Sequence, residues 1–260
     1  ITEPETRDIF NGFLGLLTSL AGMTGPFFAG WLITRMEKLT GYTIIFAISL
    51  GLFVISVLLS FLLKRRAAEG SFVLHKVLDW PKLGMNWKRT LWGNFALGLR
   101  EGTFAFLITI WIYVAAGSEM GIGTYSLITS GVSLVAYYVG GRFIAKKQRK
   151  QSMFISSIGM LLAIFLLITP TYSKLIVYGV LISILYPLLV VPLLSMSYDV
   201  IGQAPQAAMW RIEYVVAREL FLNAGRIVSI LVFMLAISLI QAEKAFPYIL
   251  LLLGSTQLLI

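Results

Sequence analysis

Five polar side chains within long apolar stretches have the clearest capacity for chemistry in this sequence. Arg100 and Glu101 lie in one stretch, and Glu219, Asn223 and Arg226 lie at the start of another. A charged group at the centre of a membrane-spanning helix costs about 2.5 to 3.5 kcal/mol, so it needs a partner or a water-filled cavity. Residues spaced by four and three share one helix face, whereas adjacent residues diverge. These five residues are predicted to couple a substrate or a proton.

The residue types also exclude several kinds of chemistry. The 260 residues contain no cysteine and a single histidine, His75. Disulfide frameworks, thiolate metal sites and multi-histidine metal centres are therefore excluded. The apolar stretches hold no histidine and no close pair of carboxylates suited to acid–base catalysis. We expect no metal, no cofactor and no enzymatic activity.

The composition indicates that membrane helices position these side chains. Hydrophobic residues make up 58% of the sequence, charged residues make up 13%, and the mean hydropathy is +0.87. Such a chain does not suit a water-facing surface, and a helix needs about 20 apolar residues to cross a bilayer. Candidate spans lie at 13–34, 42–63, 91–115, 121–144, 152–168, 175–198, 220–240 and 246–260. The predicted fold is an all-α polytopic bundle of eight transmembrane helices, the last of them clipped.

Basic residues alternate in density from one connector to the next. Fifteen Lys and Arg lie in connectors on one predicted side of the membrane, against four on the other side. Because Lys and Arg in short loops stay in the cytoplasm, the chain is predicted to enter its first helix from there. The polar stretch 64–90 is then a central cytoplasmic linker, with a short helix near 72–80 that is expected to lie on lipid headgroups. This distribution explains the net charge of +9 without nucleic acid as a partner.

Glycine and proline are placed where they can shape individual helices. Small residues recur at every fourth position through Gly25, with Gly30 beside them, and predict a smooth stripe on which another helix packs closely. Proline removes a backbone donor and bends a helix. Pro26 is therefore expected to bend the first span, and Pro187 and Pro192 are expected to bend the sixth span.

Two segments resemble motifs of a known family. Residues 21–30 are similar to the glycine and proline motif on the fifth helix of major facilitator superfamily transporters, especially proton-coupled antiporters and drug exporters. The connector 141–150 resembles the loop signature that the family repeats in its second half. The matching residues are Gly141, Lys146, Arg149 and Lys150. Alanine stands at position 145 in place of the acidic residue, so we expect this loop to set topology rather than to form a charge relay.

The resemblance implies a place for the sequence in a twelve-helix fold. The eight spans would be helices five to twelve, and four more helices would precede them. Residues 1–63 would end the N-terminal half, 64–90 would link the halves, and 91–260 would form the C-terminal half. The third, sixth and seventh of the eight spans would line a central cavity in which Glu101 and Arg226 meet. Two alternatives stay open, namely fixed latches between helices and an interfacial position for Arg100.

Secondary active transport by alternating access is the function that the resemblance implies. The expected activity is proton-coupled efflux of small molecules across the plasma membrane, with Glu101 as the proton carrier. The expected partners are the lipid bilayer, a small-molecule substrate, protons and the four preceding helices. Uptake together with protons is one alternative. A non-transporting membrane receptor or scaffold with the same kind of bundle is another.

Overall fold

The computed structural model describes residues 6–63, 72–79, 83–204, 206–207, 209–239 and 242–260. This part of the chain is helical and contains no β-strand. Its α-helices are α1 (Arg7–Arg35), α2 (Lys38–Ser60), α3 (Leu74–Val77), α4 (Met85–Ala116), α5 (Glu119–Phe143), α6 (Arg149–Ala163), α7 (Tyr172–Gln203), α8 (Arg211–Leu239) and α9 (Ala242–Ser255). Short 3-10 turns lie at Lys146–Gln148, Ile164–Leu167 and Thr256–Leu259.

Seven of the described helices are long and apolar enough to cross a membrane, namely α1, α2 and α4 to α8, where α6 is counted with its flanking turns. The final apolar stretch, Ile249–Leu259, is shorter and lies within the eighth predicted span. Helices satisfy their own backbone hydrogen bonds, which the hydrocarbon interior of a membrane requires. The prediction of an all-α, multi-pass membrane bundle is confirmed.

The described helices begin before the apolar runs that predicted them. α4 begins at Met85, so the last residues of the predicted linker 64–90 are already helical. Within that linker, 64–71 and 80–82 lie outside the described residues. Polar and charged residues at a helix end still form backbone hydrogen bonds, so an apolar run marks the membrane core and not the helix ends.

The short helix α3 packs on protein rather than on lipid headgroups. Val77 is fully buried among apolar residues of α4, α7 and α8. The indole Nε1 of Trp87 donates a hydrogen bond to the Val77 carbonyl oxygen at 3.1 Å, and the backbone N–H of Val73 donates to Glu213 Oε1 at 3.1 Å. The expectation of a headgroup helix is wrong for the described segment 72–79, because α4 and α8 already cover its apolar side.

Backbone-to-backbone contact joins α4 and α8. A methyl group on Gly98 would lie 2.0 Å from the Leu222 carbonyl oxygen, and one on Gly225 would lie 2.2 Å from the Phe95 carbonyl oxygen. Real side chains do not approach backbone atoms so closely, so only glycine fits at these positions. The two helices are therefore held at a fixed separation along their central turns.

Glycines also set the contact between α1 and α5. A methyl group on Gly12 would lie 2.6 Å from the Gly141 Cα, and one on Gly30 would lie 2.7 Å from the Glu119 carbonyl oxygen. Gly25 is exposed, and a methyl group there would meet no described atom within 4 Å. Close packing in the described chain is thus made at Gly30 and not at Gly25, because the predicted stripe points away from α5.

Both prolines of α7 are buried in the bundle, and the carbonyl groups that they deprive of a helical donor find other partners. The carbonyl oxygen four residues before Pro192 accepts a hydrogen bond from the Ser152 hydroxyl of α6 at 2.7 Å. The carbonyl oxygen four residues before Pro187 accepts a hydrogen bond from the Ser133 hydroxyl of α5 at 3.5 Å. Side-chain hydroxyls are a usual replacement for a missing helical donor in membranes. Helix α7 is thereby tied to α5 and α6 at the points where proline interrupts its hydrogen bonding.

Candidate functional site

Glu101 and Arg226 lie at the centres of α4 and α8. Glu101 is about 24 Å along α4 from Met85, at 1.5 Å per residue, and α4 ends at Ala116. Arg226 has a matching central position in α8. A helix centre corresponds to the depth at which a membrane is most costly for charge. The pair must therefore be stabilised by neighbouring side chains.

Glu101 and Arg226 form a two-point ion pair. Arg226 Nη2 donates to Glu101 Oε2 at 2.7 Å, and Arg226 Nε donates to the same oxygen at 3.1 Å. The other carboxylate oxygen, Oε1, accepts a hydrogen bond from the Tyr186 hydroxyl of α7. Asn223 Oδ1 accepts from Arg226 Nη1 at 3.0 Å. One carboxylate therefore joins α4, α7 and α8, and hydrogen bonds to ionised groups of this kind are about twice as strong as neutral ones.

The backbone next to the ion pair is tightly fixed. A methyl group on Gly102 would lie 2.5 Å from the Arg226 carbonyl oxygen, so α4 and α8 touch beside the charged side chains. One turn further, the Thr103 and Ser229 hydroxyls lie 2.8 Å apart, and the Thr103 hydroxyl donates to the Ser229 carbonyl oxygen at 3.1 Å. Both residues are fully buried. The helix pair thus holds the charges at a defined distance.

The ion pair faces an open side of the described chain. The Arg226 side chain is 42% exposed, and that of Glu101 is 15% exposed. Asn223, one turn before Arg226, is also exposed. A carboxylate, a guanidinium and an amide on one accessible surface can bind a proton or a polar group of a ligand.

Arg100 lies beside this pair and does not reach a helix end. It is 6% exposed, with its guanidinium carbon 5.3 Å from the Tyr186 ring centroid and 5.6 Å from that of Phe104. Tyr178 also interacts with it. Arginine over aromatic faces is a stabilising arrangement when it is shielded from water. The alternative of an interfacial Arg100 does not fit this position.

Glu219 stands apart from the central pair. It shares a helix face with Asn223 and Arg226, but its carboxylate pairs with the neighbouring Arg218. The Asn223 amide donates to the Glu219 backbone carbonyl oxygen at 2.8 Å, so Asn223 connects the two regions. The Arg218 guanidinium also lies over the Tyr198 ring at 5.1 Å. Of the five predicted residues, the structure groups four, namely Glu101, Arg100, Asn223 and Arg226, and places Glu219 nearer one end of α8.

A second ionic cluster involves the loop motif. Arg149 donates to Asp8 Oδ2 through Nη2 at 2.6 Å and through Nε at 3.0 Å, and to Asp199 Oδ2 at 2.7 Å. Asp199 also pairs with Arg7. Arg149 is 3% exposed. The carboxylates that Arg149 binds come from α1 and α7 rather than from the loop itself. The expectation that this loop sets topology rather than forming a charge relay stays a prediction.

The other three motif residues play different parts. Gly141 is buried where α1 and α5 meet, and a methyl group there would lie 2.8 Å from the Gly12 Cα. Lys146 and Lys150 are exposed. We did not predict Asp8, Asp199 or the pairing role of Arg7 from the sequence. A signal was available, since both acidic residues lie near the ends of predicted spans on the side with most of the basic residues.

Neither cluster has the composition of a metal site. No group of three or more histidine, cysteine or acidic side chains within the described ranges could hold a metal ion. Each central charge is instead matched by hydrogen-bond donors, an opposite charge or an aromatic ring. The central cluster can bind a polar or charged group through the Glu101 carboxylate and the Arg226 guanidinium.

Comparisons with known proteins agree with this architecture. A sequence profile of the family described as Major Facilitator Superfamily matches residues 1–211. A Bacillus subtilis (strain 168) protein, YqgE, described as uncharacterized, is 50% identical over 255 residues. That match covers 98% of this chain and 59% of the relative, so the chain spans about three fifths of the relative's length. A Geobacillus stearothermophilus protein, described as an uncharacterized protein in the sodM 3'region, is 61% identical over 46 residues, or 18% of this chain and 22% of that protein.

Proposed function

The chain belongs to the major facilitator superfamily, and on that basis we propose that it forms part of a proton-coupled secondary active transporter of small molecules. In this proposal residues 1–63 end one half of the transporter, 64–90 link the halves and 91–260 belong to the other half. Four further helices complete a twelve-helix protein in the plasma membrane. The halves rock about a site near the middle of the bilayer.

The observation that carries the proposal is the central Glu101 carboxylate, bound by Arg226 of α8 and Tyr186 of α7. Glu101 can bind a proton, and its neutral carboxyl group then no longer forms an ion pair with Arg226. A proton moving down a membrane potential releases about 2.3 kcal/mol per 100 mV, which is enough to accumulate a substrate more than tenfold. Protonation of Glu101 also changes the ion pair and the hydrogen bond that link α4 to α8 and α7. It can therefore be coupled to movement of these helices.

The direction of transport depends on how the proton and the substrate share Glu101. Efflux in exchange for protons, the direction expected from the sequence, requires a substrate that binds only when Glu101 is ionised. Uptake with protons requires a substrate that binds only when Glu101 is protonated. The second direction is a candidate because Arg226 and Tyr186 already occupy the carboxylate in its ionised form. A cationic substrate would have to displace one of these two partners.

Proton flux in liposomes tests the proposal. The full-length protein would be reconstituted with a pH-sensitive dye inside the vesicles and exposed to a panel of aromatic amines, amides and carboxylates. We expect at least one class to move protons. We expect Glu101→Gln to reduce that flux at least tenfold while the protein stays folded, because glutamine keeps the shape of the side chain and cannot carry the proton.

Glu219→Gln is the matched control, since it makes the same chemical change in a side chain that pairs with Arg218 away from the central cluster. It should keep most of the flux. Size-exclusion chromatography and thermal unfolding of both variants would report folding. Full proton-driven flux in a folded Glu101→Gln protein would place the coupling acid elsewhere in the transporter. A Glu101→Gln variant that fails to fold would favour a fixed latch between helices.

A further inference from the structure

The central cluster carries more positive than negative charge. Its two cations are Arg100 and Arg226, and its one carboxylate is Glu101. Within the described ranges no other carboxylate lies within 4 Å of either guanidinium. The Glu101 carboxylate is engaged by Arg226, so the surplus charge belongs to Arg100. A buried cation with no anionic partner is costly in a membrane interior.

The surroundings of Arg100 explain how this cation is tolerated. The aromatic rings of Tyr186 and Phe104 lie over its guanidinium at 5.3 and 5.6 Å, and Tyr178 contacts it. These groups offer π-electron density and a phenol oxygen, but no negative charge. Aromatic rings also form the kind of surface that binds the apolar body of a ligand. A cation and aromatic faces therefore stand next to each other at the centre of the helices.

We propose that the transported substrate is an organic anion whose charged group binds to Arg100 and Arg226 and whose apolar part lies against the aromatic rings. This inference rests on the proposed transport function and deepens it by naming the substrate class. An anion would neutralise the positive charge of Arg100, which pairs with aromatic rings and with no carboxylate in the described part of the chain. A cation would add a third positive charge to a cluster whose single carboxylate is already occupied. The charge balance thus selects against the cationic compounds that an acidic site would bind.

The negative charge of the substrate also determines whether it crosses the membrane with the proton or against it. The groups that face Glu101 are Arg226 from α8, Tyr186 from α7, Tyr137 from α5 and the adjacent Arg100. The two phenols are neutral near physiological pH and both arginines are charged. A bound anion would compete with the ionised carboxylate for Arg226 and would be repelled by it. Binding is therefore strongest when Glu101 is protonated, so anion and proton cross together.

A matched series on one ring system tests the charge preference. The probes are 2-naphthoate, 2-naphthamide and 2-naphthylmethylammonium, which differ in the charge of a single substituent. Binding to the purified full-length protein would be measured by equilibrium dialysis at pH 6 and pH 8. We expect 2-naphthoate to bind at least about tenfold more tightly than the amide and the ammonium compound, and more tightly at pH 6 than at pH 8.

Variants at Arg100 assign the preference to this side chain. We expect Arg100→Gln to lower 2-naphthoate affinity about tenfold and to leave 2-naphthamide affinity unchanged, which shows at the same time that the site is folded. Arg100→Lys should keep part of the preference because it keeps the charge. Arg142→Gln is the control, since Arg142 is an exposed arginine whose partner is the Tyr138 hydroxyl at 3.1 Å. Arg142→Gln should leave the affinity for 2-naphthoate unchanged.

Three results would overturn the proposal. The first is a preference for the ammonium compound, the second is equal affinity of Arg100→Gln and the unmodified protein for 2-naphthoate, and the third is no binding of 2-naphthoate up to about 1 mM. The test is independent of the transport test. An anion preference without proton flux would refute the proposed transport function and retain the ligand class. Proton flux driven by amines alone would retain transport and refute the ligand class.

Discussion

Arg149 connects three helices through a single guanidinium group. Its nitrogens donate to Asp8 of α1 and to Asp199 of α7, while its own backbone begins α6. One oxygen of Asp8, Oδ1, is buried without a hydrogen-bond partner in the described chain, so this carboxylate depends on Arg149 for its stabilisation. Breaking a buried ion pair from one side leaves a charge with no compensation.

We therefore expect Arg149→Met to destabilise the full-length protein by about 3 to 5 kcal/mol. The loss arises because Asp8 stays buried after its only described cation has gone. Lys150→Met is the control, since Lys150 is the next residue, carries the same charge and is exposed. Thermal unfolding in detergent should show a large drop in the midpoint for Arg149→Met and little change for Lys150→Met. Equal midpoints would mean that the cluster does not stabilise this conformation.

Side chains that neighbour each other along one helix could be predicted, and side chains that meet across helices could be predicted only in part. Spacing placed Asn223 beside Arg226 correctly. The family resemblance brought Glu101 to Arg226. The contact between Arg149 and Asp8 joins residues 141 positions apart, and it depends on how α1 packs against α5. No local pattern carries that information. The Glu219 carboxylate pairs with Arg218, because an adjacent residue can compete with a residue one turn away for the same carboxylate.

The contact between α4 and α8 determines whether the central charges meet. Glycines at positions 98, 102 and 225 let the two backbones touch on both sides of the Glu101 level. Membrane helices gain little from hydrophobic burial against each other, so close van der Waals packing of this kind supplies much of their association energy. A change of helix separation here would therefore alter both stability and the ion pair.

We expect Gly98→Ala to destabilise the full-length protein by about 1 to 3 kcal/mol, because the added methyl group would meet the Leu222 carbonyl oxygen at 2.0 Å and force the helices apart. Gly25→Ala makes the same change where no described atom lies within 4 Å. We expect Gly25→Ala to leave the stability unchanged. The fraction of monodisperse protein after heating measures the difference. Equal tolerance at both positions would show that α4 and α8 can separate without loss.

Helix bending illustrates what the sequence predicts about an element and what it leaves open. Pro187 and Pro192 identified the places in α7 where a backbone donor is missing. The partners of the freed carbonyl groups, Ser133 and Ser152, lie on other helices, and nothing in the spacing of serines singles them out. The boundaries of α4 were also missed, because the residues before its apolar run are polar and still helical.

The arrangement of the helices as a bundle was the most predictable feature. Hydropathy located the spans, since each must match the thickness of a bilayer, and the distribution of Lys and Arg predicted which connectors face the cytoplasm. The described helix α2 is exposed over most of its length. It packs on α1 at Gly41, and its Tyr42 hydroxyl donates a hydrogen bond to Glu119 of α5 at 3.2 Å. The exposed apolar surface of α2 therefore suits contact with lipid or with the further helices of the proposed twelve-helix protein. Sequence patterns within this chain are the same for these two environments.

Labelling of introduced cysteines tests the orientation of the whole bundle, because the chain contains no natural cysteine. Glu119 begins α5, and Gln148 ends the turn that follows its last residues, so the two positions lie at opposite ends of one membrane span. With basic connectors in the cytoplasm, Gln148→Cys should react with a membrane-impermeant maleimide in sealed inside-out vesicles and not in intact cells. Glu119→Cys should react in intact cells and not in sealed inside-out vesicles. Permeabilised cells should label both variants, which controls for accessibility. Labelling of both positions from the same side would contradict the topology, the assignment of the linker 64–90 to the cytoplasm and the direction in which protons are proposed to move.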